Sequence, residues 1–364
     1  MSRTASSPYI EWAKCSSAAA YSLAASGVPH VTGADLGLSM ADVEIAGPGG
    51  YGWEPLLASI ARKHGVSQEC VVTAEGTSMA NHLAMAALVE PGDEVVLERP
   101  TYEPMLGVLG YLGAHVTRVD RRPEDGFALD PESVVAAIGP RTRLVVLANL
   151  HNPSSDLLSR DALRRIGKAA EAVGARVLVD EVYLDAVFDA PQPSCVQLGP
   201  TFVSTSSLTK LYGLSGLRCG WILCEAPLAA RMWRLNDLFA NVPVHVGDRF
   251  AARAFEKLPE LGRRSRALLD ANRRLALDFF GARDDVSVRI PAHGTTFCLS
   301  PRGGEAETLC RVLRNRYEVS VVPGRFFEAP AWVRVGLCAD PAITAEALSR
   351  LGHALDDLAR GELS

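Results

Sequence analysis

Lysine is scarce in this chain. Among 37 basic side chains in 364 residues, only Lys14, Lys63, Lys168, Lys210 and Lys257 are lysines; arginine supplies the rest. Long apolar runs are missing too. None approaches the roughly 18–20 residues that cross a bilayer, and the opening MSRTASSPYIEWAK lacks the apolar stretch of a secretory signal. A cytoplasmic protein with no membrane partner is expected. Basic clusters are absent and the net charge is -5, which argues against a nucleic-acid partner. The eight cysteines form no CxxC pair and have no histidine cluster beside them. Disulfides and zinc are therefore set aside, no metal is expected, and the thiols are read as small buried hydrophobes in a reducing compartment. Internal repeats and low-complexity linkers are lacking as well.

What is present is alternation. From about 70 to 224, short apolar runs alternate with helical stretches. Strands are predicted at 70–73 (CVVT), 94–97 (EVVL), 115–119 (HVTRV), 143–149 (RLVVLAN), 176–182 (RVLVDEV), 201–205 (TFVST) and 219–224 (CGWILC). Between them, SMANHLAMAALVE, PESVVAAIG and SRDALRRIGKAAEAVG carry apolar residues near helical spacing. Continuously apolar strands alternating with helices imply an α/β fold, its central sheet mostly parallel with helices on both faces. After 225 an arginine-rich helical stretch runs to about 280; strands VSVRI, TTFCLS, VSVVPG and AWVRVGLC and a terminal amphipathic helix follow. The expected organisation is an N-terminal segment (1–45) joining a small domain, a large domain (46–240), and a connecting helix region with a small α+β domain (241–364).

One of the few lysines sits in SSLTKLYGLSGLRCGW, among small hydroxylated and glycine residues. Arginine carries positive charge at least as well, but it cannot readily lose its proton, and lysine can. A lysine kept at 210 in an arginine-writing chain therefore suggests imine chemistry. In open parallel sheets the ligand lies at the carboxyl ends of the strands. There the first strand delivers Gly76, Thr77 and Ser78 at a helix N-terminus, which suits a phosphate. The second delivers Tyr102, the fourth Asn152, the fifth Asp180 and Tyr183, and the sixth Ser207, Thr209 and Lys210, with Arg218 eight residues on. A phosphate would take the helix N-terminus, the hydroxyls and Arg218. A pyridinium nitrogen would take Asp180, a phenolate oxygen Asn152 and Tyr183, an aromatic face Tyr102, and an aldehyde Lys210. Together these are the needs of pyridoxal 5'-phosphate.

The motifs AEGTSMA, PGDEVVLERPTYEP, NLHNPSS, VLVDEVYLD, SSLTKLYGLSGLRCGW, VVPGRFF and WVRVGL stand in this order over nearly the whole chain. In them the chain resembles the class I/II aminotransferases, pyridoxal-phosphate-dependent enzymes of transferase fold type I. The resemblance implies that Lys210 carries the cofactor, Asp180 partners the ring nitrogen and Tyr102 stacks on the ring. It further implies that Arg334 takes the substrate α-carboxylate in a bidentate fork. Gly27 resembles part of the N-terminal segment that closes on the substrate. Tyr51 resembles the tyrosine that reaches the phosphate of a neighbouring subunit, which implies a homodimer. The chain departs from the family at 152–156, where Asn-Pro-Ser-Ser-Asp replaces the usual Asn-Pro-Thr-Gly or Asn-Pro-Ser-Gly.

Transamination of an α-amino acid is the first reading. Carbon–sulfur β-elimination from cysteine S-conjugates and decarboxylation-coupled oxidative deamination are the alternatives on the same fold. No second arginine for a side-chain carboxylate is identified, so a dicarboxylic substrate is not expected. The lysine-poor, arginine-rich composition is that of a high-GC bacterium, where specialised-metabolite pathways abound. A rival fingerprint, GPGGYG at 47–52, satisfies G-x-G-x-x-G, but a dinucleotide site needs an apolar strand directly before it, and MADVEIA is a poor one. A non-catalytic regulator module is disfavoured because no basic DNA-binding segment is present. His151, beside Asn152, is read as structural rather than as a base.

Overall fold

The computed structural model describes residues 6–361; residues 1–5, part of the expected N-terminal segment, and 362–364 lie outside the described residues. Each of the seven strands expected between 70 and 224 forms, with ends shifted by a residue or two. In chain order the first half runs α1 (Pro8–Cys15), β1 (Tyr21–Ser22), α2 (Glu54–His64), β2 (Val71–Glu75), α3 (Gly76–Leu88), β3 (Glu94–Arg99), α4 (Glu103–Leu112) and β4 (His115–Asp120). It continues with α5 (Pro131–Ala137), β5 (Thr142–Ala148), α6 (Arg160–Ala172), β6 (Arg176–Asp180), β7 (Phe202–Ser207) and β8 (Cys219–Leu223).

These strands make one seven-stranded sheet in the order β2-β8-β7-β6-β5-β3-β4. Strand β8 is antiparallel to both neighbours, and the remaining pairs are parallel. Alternation along β5 shows how the sheet is covered. Leu144 and Val146 join a core with residues of α3, α4 and α7 (Ala226–Asn236), while Val145 and Leu147 join another with residues of α6. Both faces are dry, which explains the unbroken apolar run in the sequence. Helix starts follow local chemistry. Ser159 accepts from Ala162 N–H at the head of α6, and Asp130 caps α5 through Glu132 and Ser133 N–H.

The helical stretch expected from 225 to 280 is broken. Helix α7 ends at Asn236 and α8 (His245–Gly281) begins afresh after a turn in which Asn241 has φ +59° and Pro243 follows. Beyond α8 come β9 (Val286–Arg289), β10 (Thr296–Pro301), α9 (Ala306–Tyr317), β11 (Val319–Ser320), β12 (Val322–Pro323), β13 (Val333–Gly336) and α10 (Pro341–Ala359). VSVVPG, expected as one strand, serves two sheets. Val319 and Ser320 pair in parallel with β1, while Val322 and Pro323 pair with β13 in the antiparallel sheet β12-β13-β10-β9. The chain must turn between the two ladders, so Val321 belongs to neither.

GPGGYG lies in a loop before α2 with no strand ahead of it, so the dinucleotide fingerprint has no strand to terminate. Six cysteines are buried; Cys15 is exposed and Cys70 partly so, which departs from the all-buried expectation because both lie at element ends. Among the described residues no helix is long and apolar enough to cross a membrane.

Candidate active site at the strand ends

The carboxyl ends of β6 and β7 and the segment 26–28 meet at Lys210. Strand β6 delivers Asp180, which is buried. Asn81 donates its amide to Asp180 Oδ2 at 2.9 Å and Val182 N–H donates to Oδ1 at 3.0 Å. The Thr205 hydroxyl donates to Asn81 Oδ1, which turns the amide nitrogen toward the carboxylate. Burial pushes the Asp180 carboxyl up to about 6, while Asn81, the Val182 N–H and Lys210 pull it back. A buried carboxylate without a contacting cation is costly, so this position favours a positively charged ligand group.

Strand β7 ends on Ser207, whose Oγ accepts from Thr209 N–H at 3.3 Å, and Lys210 follows. The Lys210 ammonium donates to Ser26 Oγ at 3.2 Å, and Tyr183 donates its hydroxyl to the same oxygen at 2.9 Å. Gly27 lies directly on Lys210: a Cβ there would stand 3.4 Å from the Lys210 Cα and carbonyl oxygen. Val28 N–H donates to that carbonyl at 2.9 Å.

The N-terminus of α3 gathers groups that can hold an anion. Gly76 has φ +80°, and a Cβ on it would come within 2.5 Å of the Arg218 guanidinium; one on Gly220 would lie 2.4 Å from the Gly76 carbonyl carbon. Only glycines allow that approach. Arg218, itself left-handed at φ +51°, donates to Glu75 O at 2.8 Å and Ser215 O at 3.2 Å. The Glu75 side chain makes no cap bond, and the buried Thr77 hydroxyl has no partner among the described residues. Unpaired helix N–H groups, an orphaned hydroxyl and a guanidinium together suit a phosphate. Ser78 follows in the same turn. Tyr102 stands just before α4, and burial, then the Tyr9 and Tyr183 phenols, push its own phenol up.

Arg334, on β13, is only 1% exposed. It donates to Asn152 Oδ1 at 3.2 Å, to the Tyr9 hydroxyl at 3.1 Å and to Ala24 O at 2.9 Å, over the Phe327 ring at 5.0 Å. Its Nε has no partner among the described residues. Tyr51 is not brought to this cluster. It is 45% exposed, its hydroxyl meets Asp237 at 3.2 Å, and its ring packs by Trp233 and under Arg234.

The departure at 152–156 has a compensation elsewhere in the chain. Ser155 holds φ +60°, the backbone that glycine usually provides. Left-handed backbone costs a non-glycine residue about 1–2 kcal/mol. Ser155 Oγ donates to Thr296 O at 2.8 Å, and the Thr296 hydroxyl donates to Pro153 O at 2.9 Å. Two buried hydrogen bonds at about 1 kcal/mol each are of the size needed to offset it. Gly294 makes the room: a Cβ on it would lie 2.4 Å from the Ser155 side chain. The loop bearing Asn152 is thereby stitched to β10, which pairs with β13 and so with Arg334. Asp156 completes the anchoring, accepting from Arg121 at 2.9 Å; Arg121 also meets buried Glu98 at 2.7 Å. His151 is structural. Its Nε2 is 3.0 Å from Pro100 O, which can only accept, so Nδ1 takes the Ser154 hydroxyl proton. Burial holds the ring well below its usual pKa.

Sequence reasoning missed Tyr9, Ser26 and Asn81. Tyr9 reaches the site from α1, edge-on to Tyr102 at 5.8 Å. Burial alone would raise its phenol, but Arg334 and then Lys210 outweigh burial and leave it below its ordinary value. Asn81 carried a faint signal, a polar residue one turn after Thr77 on the buried face of α3. Ser26 carried none.

The cofactor expected from the sequence fits what is here: an anion cradle, a carboxylate awaiting a cation, an aromatic ring and a lysine. Comparison with known proteins agrees. Residues 48–354 match the family profile "Aminotransferase class I and II". Capreomycidine synthase of Streptomyces vinaceus is 33% identical over 308 residues, 80% of this chain and 76% of that one. Arginine–pyruvate transaminase of Pseudomonas aeruginosa is 30% identical over 317 residues, covering 82% and 80%. A pyridoxal-phosphate-dependent aminotransferase structure from Streptococcus suis superposes with a TM-score of 0.88 at 25% identity, over 93% of this chain and 94% of that one. The cofactor of this enzyme is pyridoxal 5'-phosphate, and the chain belongs to the class I and II aminotransferases.

Proposed function

We propose that the enzyme moves the amino group of an α-amino acid to a keto-acid acceptor, in bacterial specialised metabolism. In this reading residues 46–240 form the cofactor-holding domain, and Lys210 both carries the cofactor and moves the proton at the substrate Cα. Pyridoxal phosphate, when bound, supplies the electron sink that lowers the barrier to breaking a bond at Cα. Asp180 would face its ring nitrogen, Tyr102 its ring, and Asn152 and Tyr183 its phenolate oxygen. Gly76 N–H, Thr77, Ser78, Ser207, Thr209 and Arg218 would hold its phosphate. The observation that carries the reading is Arg334, a buried guanidinium fixed by Asn152, Tyr9 and Ala24 with its Nε unpaired. It is a carboxylate receptor that stays put, and a carboxylate held throughout suits transamination better than its loss.

Purified enzyme offered a panel of amino acids, arginine with pyruvate among them, and cysteine S-conjugates tests this. We expect keto acid from the donor and amino acid from the acceptor in equal amounts. Free thiol released with pyruvate, or carbon dioxide in step with turnover, would replace the assignment with a lyase or a decarboxylating reaction.

We also propose a homodimer with shared sites. Ile45 and Leu238 are 86% and 78% exposed, Met40, Phe239 and Val244 are exposed as well, and Ile45 and Val244 line a cavity with the glycine-rich loop next to Tyr51. Exposed apolar residues that lie together mark a contact surface. Among the described residues the Tyr51 hydroxyl meets only Asp237, an exposed contact, and Tyr51→Phe keeps the ring against Trp233 and Arg234, so folding should be unchanged. If the hydroxyl reaches a partner's phosphate, the cofactor dissociation constant rises roughly tenfold or more. A fully active monomer by light scattering would rule the shared site out.

A further inference from the structure

Ser26 is buried, and among the described residues its side-chain oxygen is the one atom hydrogen-bonded to both Lys210 Nζ, at 3.2 Å, and the Tyr183 hydroxyl, at 2.9 Å. Its place is fixed from both sides. Upstream, Arg334 donates to Ala24 O at 2.9 Å and Gly336 N–H to Leu23 O at 2.7 Å. Downstream, Gly27 lies on the Lys210 backbone and Val28 N–H holds the Lys210 carbonyl. The segment that carries Ser26 is thus tied to the carboxylate receptor at one end and to the lysine at the other.

A serine hydroxyl has two lone pairs and one proton. Here both lone pairs are taken, one by Lys210 and one by Tyr183, and the proton has no acceptor among the described residues. With its lone pairs used, Ser26 cannot itself accept a proton from a substrate carbon. What it can do is hold an amine. Lysine has four rotatable side-chain bonds, and a fixed acceptor at the nitrogen limits where its lone pair points. We propose that Ser26 is a positioning residue for the reaction: it orients the Lys210 amine for condensation with the cofactor aldehyde, in which the two amine protons leave with the aldehyde oxygen as water, and for proton transfer at the substrate Cα. This rests on Lys210 having the roles given above, and no aliphatic residue at position 26 could do the same.

The test uses the full-length enzyme with Ser26→Ala, Ser26→Thr and, as control, Lys210→Ala. Three quantities are read: exchange of the donor's Cα hydrogen in deuterated water, kcat against KM, and the rate at which cofactor-free chain captures pyridoxal phosphate in a borohydride-fixable link. For Ser26→Ala, exchange and capture should slow roughly tenfold to a hundredfold, the size expected when a reacting group is misplaced by about an ångström. KM should stay within about threefold, since Arg334 is untouched, on the same argument. Ser26→Thr keeps the hydroxyl and should recover most of both rates. Should Ser26→Ala fail to fold, Ser26→Cys, which keeps the volume but only a weak acceptor, takes its place with the same expectation. Wild-type exchange and capture, or a rise in KM alone, would overturn the proposal. A reducible link that persists in Lys210→Ala would instead overturn the reading of Lys210, so the two failures are told apart.

Discussion

Lys210→Ala should abolish turnover, by about 10⁴-fold, and leave a chain to which borohydride no longer fixes the cofactor. The argument is chemical rather than structural. Among the described residues the side chain makes one long hydrogen bond, to Ser26. The contacts that place residue 210 are made by its backbone, through Val28 N–H and the face of Gly27, and an alanine keeps them. Lys210→Arg is the sharper variant. It preserves charge and length and can still reach Ser26, yet a guanidinium stays protonated at any pH the fold survives. It should be as inactive as alanine. Mass analysis after borohydride reduction checks both variants. A reducible link found on Lys63 or any other lysine of an active variant would remove Lys210 from its role.

The parts of this protein that were legible in the sequence are those in which neighbours along the chain do the same job. Val145, Val146 and Leu147 are apolar because both faces of β5 are covered, so the run betrays a buried strand. The positions of Gly76, Asp180 and Lys210 were legible because each lies at or just past the end of such a strand, where ligands lie in open parallel sheets. Strand direction left no such mark: β8 runs antiparallel with the same apolar texture as its neighbours. Long-range partners left none either. The serine at 155 announced a missing glycine, but what sustains it is a hydrogen bond to Thr296, 141 positions away, and a cleared space at Gly294. Tyr9 and Ser26 come from the N-terminal segment, not from a strand end, so the rule that found the other residues passes over them. The break between α7 and α8 was hidden because arginines and apolar residues keep helical spacing on both sides of it.

Asp180→Asn should lower kcat on the order of a hundredfold or more while changing KM little. The substitution nearly keeps the shape of the side chain. An asparagine can still accept from Val182 N–H through its oxygen, so the turn after β6 stays in place. What disappears is the charge, together with the acceptor for the Asn81 amide, which then meets the introduced NH2. In the wild type, burial makes the anion uncomfortable, and among the described residues Asn81 and one N–H are its only direct hydrogen-bond donors. A protonated ring nitrogen would relieve that discomfort, and the carboxylate would in turn keep the nitrogen protonated, which is the condition for the ring to draw electrons from Cα. Preorganised electrostatic partners of this kind are typically worth 10²–10³ in rate. Asp180→Ala removes the charge and both acceptors, so it frees the Val182 N–H as well as the Asn81 amide. Both variants should lose about 1–3 kcal/mol of stability for the Asn81 amide left unpaired, and alanine should lose more, for the Val182 N–H. Stopped-flow kinetics and thermal unfolding of both variants read the two effects apart. If Asp180→Asn turns over like the wild type, the carboxylate has only the structural duty that its contacts with Asn81 and Val182 describe.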